Sequence, residues 1–422
     1  MNILILGGGG REHTFAWKVS QSQHCGDLYI APGNAGTSQH GRNIDMDPLD
    51  FDALAEFCLS QKVEMVIVGP EAPLVAGITD YFRAHSELKT IHIIGPAKEG
   101  ARLEGSKAYA KEFMAEFGVP TAAYGEFNVA NKEEGIAFIK NQTPPIVLKA
   151  DGLAAGKGVL IIDNHEEAIA SFGEMLDGQF GDASSTVVIE DFLDGIEFSV
   201  FVLTDGLDYK VLPIAKDYKR IGEGDTGLNT GGMGAVSPVP FITPDFYEKV
   251  INKVVEPTVK GLRIRNMDYK GFVFIGLIKV GDEPKVIEYN VRMGDPETEV
   301  VLPRLKSDFL QTLIDLSEGR ISQSELEISE QSASTVMLVS GGYPEAYEKG
   351  RVISGHQSVE DSIIFHAGTK AHNNTVITNG GRVMAITSLA QSKEKALAIS
   401  KANAAKIDFE GKYFRGDIGF DL

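Results

Sequence analysis

An apolar run, Ile3-Leu4-Ile5-Leu6, passes without a break into four glycines, Gly7 to Gly10. A segment from Arg11 to about Gln21 follows, with Phe15 and Val19 one helical turn apart. The order then repeats. Asp27–Ala31 and Val63–Val68 read as strands, Phe51–Leu59 as a helix, and His92–Ile94 as a further strand before Gly95-Pro96. Strands alternating with helices admit few folds, because parallel neighbours need crossover connections. Residues 1–103 therefore read as an amino-terminal domain with a doubly wound parallel sheet, and ligands gather at the carboxyl ends of such strands.

The glycine run does not fit a dinucleotide fingerprint. Counted from Gly7 or Gly8, the third glycine of G-x-G-x-x-G falls on Glu12 or His13. Glycines ahead of a helix still offer backbone N–H groups to an anion. Gly8, Gly9 and Gly10 with Arg11 are thus candidates for a phosphate cradle, a plain tight turn being the other reading. Glu71 follows a strand between Pro70 and Pro73 and is placed to reach the same crevice.

Residues 104–122 read as a helix, Ser106 to Phe117, with Lys107 in its first turn. A cation there opposes the helix dipole, which suits either a phosphate contact or an ordinary surface lysine. Residues 123–189 read as a small lid. In it Pro145–Ala150 and Val159–Ile162 flank a glycine-rich turn holding Gly152, Gly156, Lys157 and Gly158. This is no P-loop, since Gly152 and Gly156 enclose three residues and Gly158 stands where Ser or Thr would hold Mg²⁺. A flexible hairpin with Lys149 on its strand and Lys157 on its loop can still close over phosphates. Glu190, Phe192 and Leu193 then read as an extended linker beside an apolar strand that begins near Glu197. Such a linker offers backbone groups to a base, and Glu197 a carboxylate to a ribose hydroxyl.

Lys216, Asp217, Lys219 and Arg220 gather three cations around one acid. They run into an aperiodic glycine-rich stretch, Asp225–Ser237. Gly271–Val280 pairs with Lys285–Val291 across the turn 281–284. Val286, Glu288 and Asn290 alternate with Ile287, Tyr289 and Val291, so period two sets Glu288 and Asn290 side by side. Two hard oxygen ligands on a strand suit Mg²⁺. A buried edge strand ending in a solvated acidic turn is the alternative. Arg292, Gly294 and Asp295 follow at once.

Residues 190–325 with 104–122 read as the core domain and 326–422 as an α+β cap without a catalytic signature. In the cap His366 and His372 read as ordinary surface or half-buried residues. The chain carries 59 acidic and 40 basic residues, a formal net charge of −19. No broad basic face is expected, which argues against nucleic acid or an anionic membrane as partner. No apolar run approaches the roughly 18 residues of a span. The first residues read as a strand rather than a signal peptide. Cys25 and Cys58 read as buried fillers in a reducing cytoplasm.

Gly7–His13, Gly69–Leu74, Leu103–Lys107, Lys149–Gly158, Asn229–Gly234, Arg292–Glu297, Phe365–Thr369 and Asn379–Val383 together resemble the phosphoribosylamine–glycine ligases, a family of ATP-grasp enzymes. Met293 departs from the Phe or Leu usual there, and Gly8-Gly9-Gly10 lacks a common Asn. The resemblance implies a monomeric cytoplasmic enzyme with an ATP-grasp core and a mobile lid. It would ligate glycine to 5-phosphoribosylamine with ATP and Mg²⁺ or Mn²⁺, through a glycyl phosphate. It places the metal on Glu288 and Asn290, and Lys107, Lys149, Gly152, Gly156, Lys157 and Gly158 on the phosphates. Adenine falls against Glu190, Phe192 and Leu193, and ribose on Glu197. Glycine and the sugar phosphate lie among Gly8–Arg11, Glu71, Asp217, Lys219, Arg220, Arg292, Gly294 and Asp295. Lys107, Lys149, Arg292 and Asp217 carry the catalytic roles.

Overall fold

The first strand, β1 (Asn2–Gly7), lies at the centre of a five-stranded sheet. Its neighbours are β2 (Leu28–Pro32), β3 (Arg42–Asn43), β4 (Val63–Val68) and β5 (His92–Ile94), in the order β3-β2-β1-β4-β5, all parallel. Alternate residues of β1 bury on opposite faces. Leu4 and Leu6 join one apolar cluster, and Ile3 and Ile5 join another with Phe15 of helix α1 (Gly10–Val19). That two-sided burial explains an unbroken apolar run. Both clusters continue into the core sheet, so the two units share apolar packing. The computed structural model describes residues 1–154 and 158–422. Among them no helix is long and apolar enough to cross a membrane.

Two helices connect this sheet to the rest: α2 (Lys98–Gly105), which the sequence reading missed, and α3 (Lys107–Phe117). Ser106 caps α3 by accepting the Tyr109 N–H at 3.1 Å. Its hydroxyl donates to Asp151 at 2.9 Å, and Asp151 also accepts the Ala108 N–H at 2.8 Å. A carboxylate on a helix N-terminus offsets the dipole, and here it docks the lid turn against α3. The lid sheet runs β6 (Tyr124–Asn128), β9 (Thr186–Asp191), β7 (Ile146–Ala150), β8 (Val159–Ile162), wholly antiparallel. β9 extends through Asp191, so Glu190 belongs to a paired strand and not to the expected linker.

The core sheet sets β10 (Ile196–Thr204) against β11 (Gly271–Val280) and β12 (Glu283–Asn290). One register expectation is corrected. Gly276 pairs with Glu288 but Leu277 with Val286, so a bulge falls at Ile287. The extra residue sends Val286 into the apolar core with Tyr289, instead of onto the Glu288 face. The stretch 225–237 is also more regular than expected. Thr226–Asn229 forms a hairpin with Arg220–Gly222, and Gly234–Ser237 is a strand. That strand and Lys216–Asp217 enter the carboxyl-terminal sheet beside Ser332–Val339, Arg382–Ala390 and Ile363–His366. The cap therefore takes two of its strands from the segment assigned to the core.

The cap also meets α1. His366 is buried, not half-exposed, and its N–H donates to His13 Nδ1 at 2.7 Å. Burial, with His356 nearby, pushes His366 down to about 4. His13 is likewise held below its ordinary range by burial and by His366 and His40. The unfolded chain therefore binds protons near pH 6.5 that the folded chain refuses. Stability should fall as pH drops from about 6.5 toward 4, by up to roughly 1.4 kcal/mol per pH unit for each histidine. Urea unfolding at pH 7.5 and 5.5 measures this. His366→Asn should reduce the difference, and an unchanged difference would assign it to other groups.

Candidate active site

A cleft of about 630 Å³ opens where the carboxyl ends of β1 and β4, helix α3, the lid hairpin and the end of β12 converge. Gly8, Gly9, Arg11, Glu71, Lys107, Lys149, Gly158, Glu190, Asp217, Lys219, Glu288, Asn290, Arg292, Gly294 and Asp295, all candidates from the sequence, line it. Gly10, Gly152, Phe192, Leu193, Glu197 and Arg220 do not line it. Gly10 lies within α1, where an added Cβ would sit 2.2 Å from Glu299 Oε1. Gly152 packs on Ala183 and accepts from Lys107 Nζ at 3.1 Å. Phe192 faces outward, and Arg220 turns to the Gly227 carbonyl at 2.8 Å. Glu197 instead pairs with Lys219 at 3.2 Å. Gly156 and Lys157 fall outside the described residues.

The glycine loop is close-packed. A Cβ at Gly8 would stand 2.7 Å from the Gly33 carbonyl oxygen. Two of its expected anion donors are already engaged, because the Gly9 N–H donates to Glu12 at 2.6 Å and the Arg11 N–H to Asp295 at 3.2 Å. Arg11 itself is buried, donating to Glu12 at 2.7 Å and to the Met293 carbonyl at 3.0 Å. Burial would lower its pKa, but Glu12, Asp295 and Glu71 outweigh that and keep it charged. The loop is a wall built around internal carboxylates more than an open cradle.

Glu288 and Asn290 do share a face: Asn290 Nδ2 lies 3.4 Å from Glu288 Oε1. Lys149 Nζ donates to the Ile287 carbonyl at 3.2 Å, which sets the lid lysine beside them. Lys149 also pairs with Glu190 at 2.9 Å, and Glu190 with Lys111 at 3.0 Å. Glu190 is thus a buried bridge between two lysines. Burial lowers the Lys111 pKa to about 8 against the pull of Glu190. Burial also lowers Lys107, with Glu288 opposing. A carboxylate with an amide is a hard donor set that suits Mg²⁺ completing its shell with water and phosphate. Among the described residues no group of three His, Cys, Asp or Glu is arranged to hold a metal.

Sequence reasoning missed Lys111 and gave no role to Glu12, Glu104, Glu297 and Arg382, which it noted only within longer motifs; all five line the cleft. Lys111 is four residues after Lys107 on one helix, a spacing that would have revealed it. Arg382 stood in the Asn379–Val383 stretch, but nothing local gave it a role. It crosses from the cap, which the sequence had left without a role, to pair with Asp295 at 3.1 Å. Burial would raise the Asp295 pKa, but Arg382 and Arg11 hold it low. Glu297 is buried near Asp217, and burial together with that charge raises its carboxyl to about 7 against Lys219. Burial likewise raises Glu104 to about 7, although Arg292 lies 2.7 Å away. The described lining has seven basic and eight acidic side chains, so a nucleotide and a second anion bring charge that a metal would offset.

Comparison with known proteins covers nearly the whole chain. Family models for the N, ATP-grasp (A) and C domains of phosphoribosylglycinamide synthetase match residues 1–104, 105–298 and 333–421. A phosphoribosylamine–glycine ligase of Yersinia pestis is 43% identical over 427 residues, covering 100% of this chain and 98% of the relative. One from Chlorobaculum tepidum is 44% identical, covering 99% of each. The crystal structure of phosphoribosylamine–glycine ligase from Thermotoga maritima matches with a TM-score of 0.86 and 36% identity, covering 99% of this chain and 100% of that one. A biotin carboxylase domain from Hydrogenobacter thermophilus shares the fold at 17% identity, with a TM-score of 0.73 over 99% of this chain and 92% of that one.

Proposed function

The chain belongs to the phosphoribosylglycinamide synthetase family, and on that premise we infer that its cleft joins glycine to 5-phosphoribosylamine, driven by ATP. It is a ligase that forms a carbon–nitrogen bond. ATP, glycine and 5-phosphoribosylamine give glycinamide ribonucleotide, ADP and phosphate, a step of de novo purine synthesis. The observation that carries the site assignment is the meeting of the Glu288–Asn290 face, Lys107 and Lys149 in one cleft with Arg292 and Glu71.

A carboxylate does not condense with an amine unaided, because oxide is a poor leaving group. Phosphoryl transfer breaks the bond to ADP and forms glycyl phosphate. The sugar amine then attacks the acyl carbon, the bond to phosphate breaks, and a proton leaves the nitrogen. The first step needs charge neutralised more than covalent help. Lys107 and Lys149 supply part of it, Lys149 exchanging Glu190 for a phosphate oxygen. A divalent ion on Glu288 and Asn290, Mg²⁺ with Mn²⁺ as substitute, supplies the rest when bound. Adenine is assigned to the edge formed by Glu190, Phe192 and Leu193, with ribose on Glu197. Gly152 and Gly158, on the described part of the lid turn, are assigned to covering the phosphates and excluding water, and Gly156 and Lys157 keep the phosphate role that the resemblance implies. Glycine and the sugar phosphate together are assigned to the part of the cleft lined by Gly8, Gly9, Arg11, Glu71, Asp217, Lys219, Arg292, Gly294 and Asp295, while Arg220 turns away from it. The enzyme is read as a cytoplasmic monomer acting on small molecules, without nucleic acid.

Glu297 adds an acid–base group matched to neutral pH. It is read as taking the proton of the attacking amine, so the rate should rise as pH climbs through about 7. Glu297→Gln should lower turnover about 10²-fold and remove that rise. A variant that keeps the rise assigns it elsewhere. The reaction itself is tested by following ADP release. Glycine and fresh phosphoribosylamine should both be required, and alanine or ribose 5-phosphate should not replace them. Release with neither acceptor would contradict the ligase reading.

A further inference from the structure

Asn290 is turned the wrong way to hold a cation. A guanidinium only donates hydrogen bonds, so the Asn290 atom facing Arg292 Nη2 at 3.0 Å is its oxygen. The amide nitrogen then faces Glu288 Oε1 at 3.4 Å. The two contacts agree, and together they present a donor where a metal needs an acceptor. Arg292 is itself held in place. Glu104 Oε1 lies 2.7 Å from the same Nη2, and Glu71 Oε2 lies 3.4 Å from Nε. Glu104 Oε2 accepts the Val291 N–H at 2.8 Å, which fixes that carboxylate to the end of β12. Glu104 is buried on α2, so its grip is backed by a rigid element.

We propose that Glu104 is a positioning residue that holds Arg292 across Asn290, and so keeps the metal site closed until a substrate carboxylate draws Arg292 away. The proposal rests on the reading of Glu288 and Asn290 as metal ligands. Once the glycine carboxylate engages Arg292, the Asn290 amide is free to turn and set its oxygen beside Glu288. Cation and glycine then bind cooperatively, and each tightens the other by the same factor. The metal's share of charge neutralisation is thereby added only when an acceptor carboxylate is present, which limits transfer of the phosphoryl group to water.

The test is a Mn²⁺ titration followed by the electron paramagnetic resonance signal of the free ion. It uses the full chain with a non-hydrolysable ATP analogue, with and without glycine. In wild type, glycine should tighten Mn²⁺ binding about 10-fold. Glu104→Ala removes the carboxylate that holds Arg292. It should bind Mn²⁺ at the tighter level without glycine, and glycine should add less than about 2-fold. Arg292→Leu, a second variant should the first not fold, should also bind tightly without glycine. Equal wild-type affinity with and without glycine overturns the proposal, as does wild-type behaviour in the variants. Glu288→Gln separates the two levels. If it leaves Mn²⁺ binding unchanged, the metal assignment fails and the proposal with it. If it weakens binding while Glu104→Ala and Arg292→Leu match wild type, the proposal alone fails.

Discussion

Glu288→Ala should lower ligation on the order of 10³-fold and leave the fold intact. The side chain is half-buried, and among the described residues its hydrogen bond is the one from Asn290 Nδ2 at 3.4 Å. Beneath it lies Gly276, where even an added Cβ would stand 3.2 Å from Glu288 Cγ, so the carboxylate is backed by strand and faces the cleft. Little of the core depends on it, and the change in unfolding free energy should stay within about 0.5 kcal/mol. ADP release at saturating Mg²⁺, together with a thermal melt, separates the two effects. Unchanged turnover would remove Glu288 from the metal site.

Arg382→Met should have the largest effect on stability. Its guanidinium pairs with the Asp295 carboxylate at 3.1 Å and donates to the carbonyls of Asp295 at 2.6 Å and Gly231 at 2.8 Å. Removing it leaves a buried carboxylate with, among the described residues, the Arg11 N–H as its remaining hydrogen bond. Breaking a buried pair in this way costs about 3 kcal/mol or more. The same change loosens the turn that carries Arg292 and Glu297, so turnover should fall as well. Urea unfolding and ADP release report the two effects. A variant as stable as wild type would show that Asp295 is neutralised by other groups, Arg11 foremost.

What the sequence revealed and what it hid divide along chain distance. Glu288 and Asn290 share one strand and Arg292 follows it two residues on, so short spacing was enough to find them. Lys149 and the lid turn were legible for the same reason, as was the parallel sheet from its repeated apolar strands. The partners that control these groups come from far along the chain. Glu104 reaches Arg292 from another element, and Arg382 reaches Asp295 across 87 residues. Nothing local marks such pairs. The bulge at Ile287 was hidden too, because it depends on register against Gly276 and Leu277 rather than on the strand's own pattern. Glu190 was placed in a linker because the apolar run of its strand ends at Ile189. Pairing with Tyr124 and Val147 on either side keeps it in the lid sheet.

A crystal structure with Mg²⁺, a non-hydrolysable ATP analogue and glycine tests the metal assignment most directly. The Glu288 carboxylate and the Asn290 Oδ1 should both lie about 2.0–2.1 Å from the ion. The Arg292 guanidinium should have moved off the amide. A Mg²⁺ ion held by other side chains, with the Asn290 nitrogen still facing Glu288, would contradict it.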